Sequence, residues 1–287
     1  MPNLGHLELT TNSYLRFMYY FISGQSEFYH GRYKSAIRSF KIAERLIEEV
    51  NDPAERAEFY QKLGISYYRI DQYTFAASYM EMALEFFEKN EAYIELEINS
   101  KLILAAIDTE LERFDEAERI YNDLLESSKP FPAAHALVYR NMGLNRMTQD
   151  KLGEAEIYLE AALSIKEHRE SILGVKTKFN LVNIQLKIDN YTSGLDEIEK
   201  EVNYYQLTEY IAKCKINRGL YLNHDVSLVE KGINELLQYE LYFDCSEVAK
   251  EISSFYEREG KLSLALEYLN LAYRMQKKQS QLGVDQK

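Results

Sequence analysis

Small and apolar residues recur along the chain in one cadence. A small residue is followed nine positions on by an aromatic residue or Leu, three later by Ala or Gly, and then by further apolar positions. The first copies read Gly24, Tyr33, Ala36, Phe40, Ala43 and Gly64, Tyr73, Ala76, Met80, Ala83. Ala105, Phe114, Ala117, Tyr121, Leu124 and Gly143, Leu152, Ala155, Leu159, Ala162 repeat them, and Val182, Tyr191, Gly194, Ile198 and Ser253, Leu262, Ala265, Leu269, Ala272 follow. The second small residues, at 36, 76, 117, 155 and 194, stand 38 to 41 apart, and the 71-residue interval to 265 has room for one divergent copy. A period of this length predicts an all-α array of stacked helical hairpins, in which each hairpin buries its apolar faces on its neighbours.

The punctuation agrees with the period. Asn51-Asp52-Pro53 offers a cap and a first-turn Pro, and Ala57, Tyr60, Leu63, Gly64, Tyr67 and Tyr68 then form one helical face, the inner helix A. Beyond a turn at Asp71-Gln72, Phe75, Ala76, Tyr79, Met80, Ala83, Leu84 and Phe87 form the outer helix B. Pro130 and Pro132 open the fourth hairpin. Around 222–232 the cadence fails, with a turn at Asn223-His224-Asp225 and no Ala where one is expected. The expected organisation is an extension over 1–13, an array over 14–278 and a disordered tail over 279–287. Its repeats lie near 14–50, 53–90, 93–128, 132–168, 172–203, 205–240 and 244–278.

Composition narrows the function. With 46% apolar and 28% charged residues and only 4 Pro, the chain reads as a folded, helix-rich protein. No signal-peptide pattern or membrane-length apolar run is present, so a cytoplasmic location is expected. A net charge of -12 argues against direct nucleic-acid binding and favours a cationic ligand. Cys214 and Cys245 lack metal or disulfide spacing and read as core thiols. The five histidines do not cluster, and no nucleophile-elbow, Walker or zinc-protease motif occurs, so neither an intrinsic enzyme nor a cofactor is expected.

One position along helix A stands out. Two residues before the first small residue of each repeat lie Ile22, Lys62, Ile103, Asn141, Asn180 and Asn217, taking Gly219 as the small residue of the divergent copy. Three successive Asn amides on the concave wall would each donate to and accept from the backbone of an extended peptide. A neutral hydrogen bond contributes about 0.5–1.5 kcal/mol, so affinity needs several. Bonding only to neighbouring helices is the competing role. Asn183, Glu58 and Asn99 are further candidates on this face.

Tyr60, Leu63-Gly64, Tyr67, Tyr73, Ala76 and Ala83 resemble the tetratricopeptide repeat, which implies a right-handed superhelical solenoid of about seven hairpins. The stretch AEFYQKLGISYYRIDQYTFAASYMEMAL is similar to the Rap family of peptide-controlled regulators and its relatives NprR and PlcR, and the resemblance runs from about Tyr14 to Lys278. It implies that Asn141, in YRNMG, holds a peptide backbone and that Glu110 pairs with a basic peptide side chain, while Ile107 stands where the family has Asn. About 14 residues precede the first repeat, too few for the family's three-helix bundle or helix-turn-helix, so family-type phosphatase activity and DNA binding are not expected of this chain.

The resulting expectation is an intracellular receptor for a short basic signalling peptide of about five to eight residues, which would alter a surface for a regulator protein. The rival is a constitutive interaction scaffold that senses no peptide. The last helix, with Leu264, Leu266, Tyr268, Leu269 and Tyr273, is expected to cap the array or to pair two copies.

Overall fold

The computed structural model describes residues 12–30, 32–189 and 193–280. The expectations for 1–11, Tyr191 and 281–287 concern residues outside these. Every regular element among the described residues is helical, and none of the helices is long and apolar enough to cross a membrane. The chain divides into two compact units between Ser127 and Ser128.

Among the described residues the first unit holds three helix pairs: α1 (Ser13–Tyr29) with α2 (Tyr33–Glu44), α3 (Pro53–Tyr68) with α4 (Tyr73–Phe87), and α5 (Ile94–Glu110) with α6 (Phe114–Ser127). The second holds four: α7 (Pro132–Thr148) with α8 (Leu152–Ser164), α9 (Ile172–Asp189) with α10 (Ser193–Tyr204), α11 (Thr208–Asn217) with α12 (Val226–Gln238), and α13 (Tyr242–Arg258) with α14 (Leu262–Ser280). These are the tetratricopeptide-type hairpins that the cadence predicts, with A helices odd-numbered and B helices even-numbered.

The small residues set how closely A and B approach. A methyl carbon added at Gly143 would stand 2.7 Å from Leu159 Cδ2 and 3.3 Å from the Ala155 carbonyl oxygen, so only a residue without a side chain fits there. Between A and B the chain reverses through a left-handed residue seven positions after the first small residue: Asp71 (φ 59), Glu112 (φ 58), Asp150 (φ 57) and Gly260 (φ 71). In each case the next N–H donates five residues back, as Gln72 does to the Tyr67 carbonyl (3.0 Å) and Lys151 to that of Arg146 (2.9 Å). This bond satisfies a helix-end carbonyl and locks the reversal.

The divergent repeat has a geometric cause. Elsewhere the two small residues are 12 apart, as in Gly64 to Ala76 or Gly143 to Ala155, but Gly219 and Gly232 are 13 apart. The extra residue is housed in a π-helical turn, Arg218–Leu222, that continues α11 and closes with an Asn223 N–H bond to the Arg218 carbonyl at 2.9 Å. Asp225 then caps α12 by accepting from the Ser227 N–H at 2.9 Å. Gly232 takes the place of the missing Ala, one position late, with a methyl carbon there falling 2.5 Å from Ile216 Cγ1 and 2.7 Å from the Ala212 carbonyl.

The two cores differ in chemistry. In the first unit Phe17, Phe21, Phe40 and Phe59 meet with ring centroids 5.5 to 5.9 Å apart, and Tyr79 lies between Tyr60 and Tyr67. The second is largely aliphatic, with Leu186, Leu195, Ile198 and Val202 in one cluster and Ile216, Ile233, Leu236 and Ile252 in another. Cys214 and Cys245 are free and buried there, and burial pushes their thiols up to about 12 and about 11, so they pack as apolar groups. At the carboxy-terminal end, α14 continues through Ser280 and buries Gln279, beyond the end expected from the apolar period. Tyr268 is buried in the core and Leu264 packs against it, which removes both from the outer face expected to pair copies; Leu266, Leu269 and Tyr273 remain exposed.

Candidate functional site

The Asn ladder falls on the A helices of the second unit. Asn141 is half-buried on α7, and its amide N–H donates to the Leu137 carbonyl one turn back, at 2.8 Å. Asn180 is half-buried on α9. Asn183, one turn further along α9, and Asn217, where α11 passes into its π-helical turn, are each only 6% exposed. The Asn183 side-chain oxygen and the Asn217 side-chain nitrogen are buried without a hydrogen-bond partner among the described residues. One is an acceptor and the other a donor, the two functions that a peptide backbone offers in complement.

Burying a polar atom without a partner costs about 1–3 kcal/mol, and folded proteins rarely leave one so. The first unit shows the rule kept. Gln61 donates to the Leu96 carbonyl (2.9 Å) and the Ser100 hydroxyl (2.8 Å), and the hydroxyls of Ser66 and Thr109 donate to carbonyls one turn back. The exceptions gather on A helices of the second unit, and the Arg140 Nε, one residue before Asn141, is another.

A charged cluster adjoins these groups. Lys213 on α11 exposes 19% of its side chain and pairs with Glu209 one turn earlier (2.7 Å) and with Asp244 on α13 (2.8 Å). Burial acts to raise Glu209, but the adjoining ammonium prevails and holds its carboxyl down to about 2. Burial raises Asp244, and Lys213 opposes it. The Tyr210 ring lies beneath two ammonium groups, Lys176 at 5.2 Å and Lys213 at 5.3 Å, and meets the Phe179 edge at 5.1 Å, which joins α9 to α11. Burial pushes the Tyr210 phenol up to about 12, helped by Glu209 and opposed by Lys213 and Arg140.

His168 belongs to the single turn Lys166–Arg169 that leads into α9. Its Nε2 lies 2.8 Å from the Thr177 hydroxyl, whose own proton goes to the Leu173 carbonyl, so the imidazole donates through Nε2. Burial, assisted by the Arg140 charge, lowers it to about 4, and it is neutral at pH 7. Neither His168 nor Arg140 stands in a local sequence motif that marks it. Glu209 and Lys213 at i, i+4 spacing were a readable pair, but their link to Asp244 joins residues 31 apart through stacking.

The other predicted residues lie in the first unit. Glu110 ends α5 and is exposed, and its charge, second to burial, raises the Tyr73 phenol. Glu58 on α3 is exposed and Asn99 on α5 half-buried. Ile107 is 2% exposed, a core residue of α5. Among the described residues no cluster of His, Cys, Asp and Glu has a metal-holding arrangement.

No family model matches the chain. Among curated proteins it is 43% identical over 278 residues to the type II methyltransferase M.CeqI of Rhodococcus hoagii, which covers 95% of this chain and 53% of that protein. It is also 28% identical over 271 residues to response regulator aspartate phosphatase I of Bacillus subtilis (strain 168), covering 92% of this chain and 69% of that one. Among solved structures, the Rap conjugation gene regulator of the plasmid pLS20, in complex with the Phr* peptide, superposes with a TM-score of 0.91 at 22% identity, over 100% of this chain and 80% of that chain. The chain thus spans about half the length of the methyltransferase-named relative, and the activity in that name is said of the whole of that protein.

Proposed function

We propose, for a chain that resembles the Rap proteins in sequence and shares the tetratricopeptide-type fold of the Rap and NprR structures, that the second unit is a receptor surface for a short extended peptide. The observation that carries the reading is the unpartnered pair, Asn183 Oδ1 and Asn217 Nδ2, on adjacent A helices. An incoming peptide N–H and C=O would satisfy both, and Asn141 and Asn180 would extend the same backbone contacts. Groups left dry and unbonded in the free protein become bonded in the complex, so binding recovers the cost of burying them. The peptide complex of the structurally similar Rap regulator supports the same reading.

Glu110, Glu58 and Asn99 are kept as candidate peptide contacts of the first unit by itself, Glu110 for a basic side chain. The receptor is intracellular in this reading, and the peptide biases its hairpin packing toward one of two arrangements, thereby altering a surface for a regulator protein. Such a shift needs different affinities for the two arrangements, and groups unbonded in one and bonded in the other supply that difference.

The test is calorimetric titration with synthetic peptides of about six residues. Saturable binding by the wild type, lost in both Asn183→Leu and Asn217→Leu while the helical circular dichroism is retained, is the expected result. Binding that survives both substitutions would place the ligand elsewhere. Failure of every peptide against a folded wild type would favour a constitutive scaffold.

A further inference from the structure

We infer that the receptor wall of the second unit carries a carboxylate-binding position centred on Arg140. The inference rests on the peptide-receptor reading and deepens it by specifying the chemistry of one end or one side chain of the ligand. Arg140 lies on α7 beside Asn141, and its Nε is buried with no hydrogen-bond partner. Among the described residues neither its Nε nor the remainder of its guanidinium has a carboxylate partner. Arg is always charged, and its fork of donors matches the two oxygens of a carboxylate. An Arg held against the protein without an anion is therefore an incomplete pair.

The neighbourhood explains why no residue of the wall completes it. Glu209 and Asp244, the carboxylates that act with Arg140 on Tyr210, are taken up by Lys213 at 2.7 and 2.8 Å. His168, which feels the Arg140 charge, is neutral and its Nε2 is committed to Thr177. Tyr210, which also feels that charge, keeps its proton at neutral pH. The two groups shown to feel its charge, His168 and Tyr210, are thus neutral, in a protein whose overall charge is -12. A locally unmatched cation in an acidic protein singles out one anionic group and repels little else.

For a peptide that lays its backbone along Asn141, Asn183 and Asn217, the anion has two sources: the free α-carboxylate or an Asp or Glu side chain. Both offer the same two oxygens, and the ligand is thus one with a carboxylate at a fixed distance from the amide-bound backbone. A basic side chain elsewhere in the same peptide is compatible with this.

The experiment uses two randomised hexapeptide pools, one ending in the free acid and one in the amide, equilibrated with the full chain and read by mass spectrometry of the retained peptides. Retention of the free-acid pool roughly tenfold or more above the amide pool assigns the α-carboxylate. Retention of both pools, with Asp or Glu enriched at one position, assigns the side chain. Either result must disappear in Arg140→Gln, and Arg140→Lys, which keeps the charge without the fork, must keep part of it. Equal retention without acidic enrichment would overturn the inference and leave the peptide receptor standing. Discrimination that persists in a folded Arg140→Gln would equally overturn it. Retention of neither pool would remove the receptor reading and this inference with it.

Discussion

The two units meet the same packing problem with opposite treatments of buried polarity. In the first, aromatic rings fill the space between hairpins, and each buried polar side chain is bonded: Gln61 to Leu96 and Ser100, Ser66 to Lys62, Thr109 to Ala105. In the second, aliphatic clusters surround a charged lock, a neutral His168 and unbonded atoms of Arg140, Asn183 and Asn217. The first unit satisfies its own buried polar groups. A unit that leaves donors and acceptors dry gives up stability that a ligand can restore.

The contrast is sharpest at the Lys213 lock. Lys213→Ala leaves Glu209 and Asp244 facing each other with little solvent, and we expect it to lower unfolding stability by about 3 kcal/mol. The comparable cut in the first unit, Gln61→Ala, removes a neutral group and should cost about 1 kcal/mol. Chemical denaturation of both variants measures the difference. Equal losses would mean that the lock is solvated and the contrast overstated.

Acid should strike the second unit first through His168. Its folded value of about 4 lies below the unfolded value of 6.5, so between those values the unfolded chain binds more protons. Stability from the neutral imidazole is complete above pH 6.5 and declines as pH falls toward 4, by up to about 3 kcal/mol. Melting temperatures from pH 7 to 4.5 should fall less steeply in His168→Gln than in the wild type, and parallel curves would refute the assignment.

Hairpin packing, by contrast, should not distinguish the units. Gly64→Val and Gly143→Val each force a side chain into Met80 or Leu159, at 2.5 and 2.7 Å from the added carbon, and should each cost about 1–3 kcal/mol. A much smaller cost at one of them would show that its B helix can shift. The ladder should behave in the reverse sense. Asn183→Leu removes an unbonded amide oxygen and should leave stability unchanged or raise it by about 1 kcal/mol while abolishing peptide binding. A large loss of stability would mean that the amide already has a structural role.

The smallest effect concerns the left-handed turns shared by both units. Asp71→Gly and Asp150→Gly relieve a side chain at φ 59 and φ 57 and should each raise the melting temperature, by under about 1 kcal/mol in stability. A decrease at Asp71 alone would show that its bond from the Tyr73 hydroxyl outweighs the relief.

The period of small residues was enough to determine the fold class, the A and B roles and the Asn positions on A helices, because helix packing requires small residues at close crossings and those recur at fixed spacing in one dimension. The same regularity made the 205–240 repeat opaque: one added residue moved the Ala equivalent to Gly232, and only the π-helical turn at Arg218–Leu222 shows where that residue went. The charged lock and the unbonded groups were decided by tertiary structure alone. Whether an Asn finds a partner, or a Lys a second carboxylate 31 residues away, depends on which side chains stacking brings within about 3 Å, and no local periodicity encodes that distance.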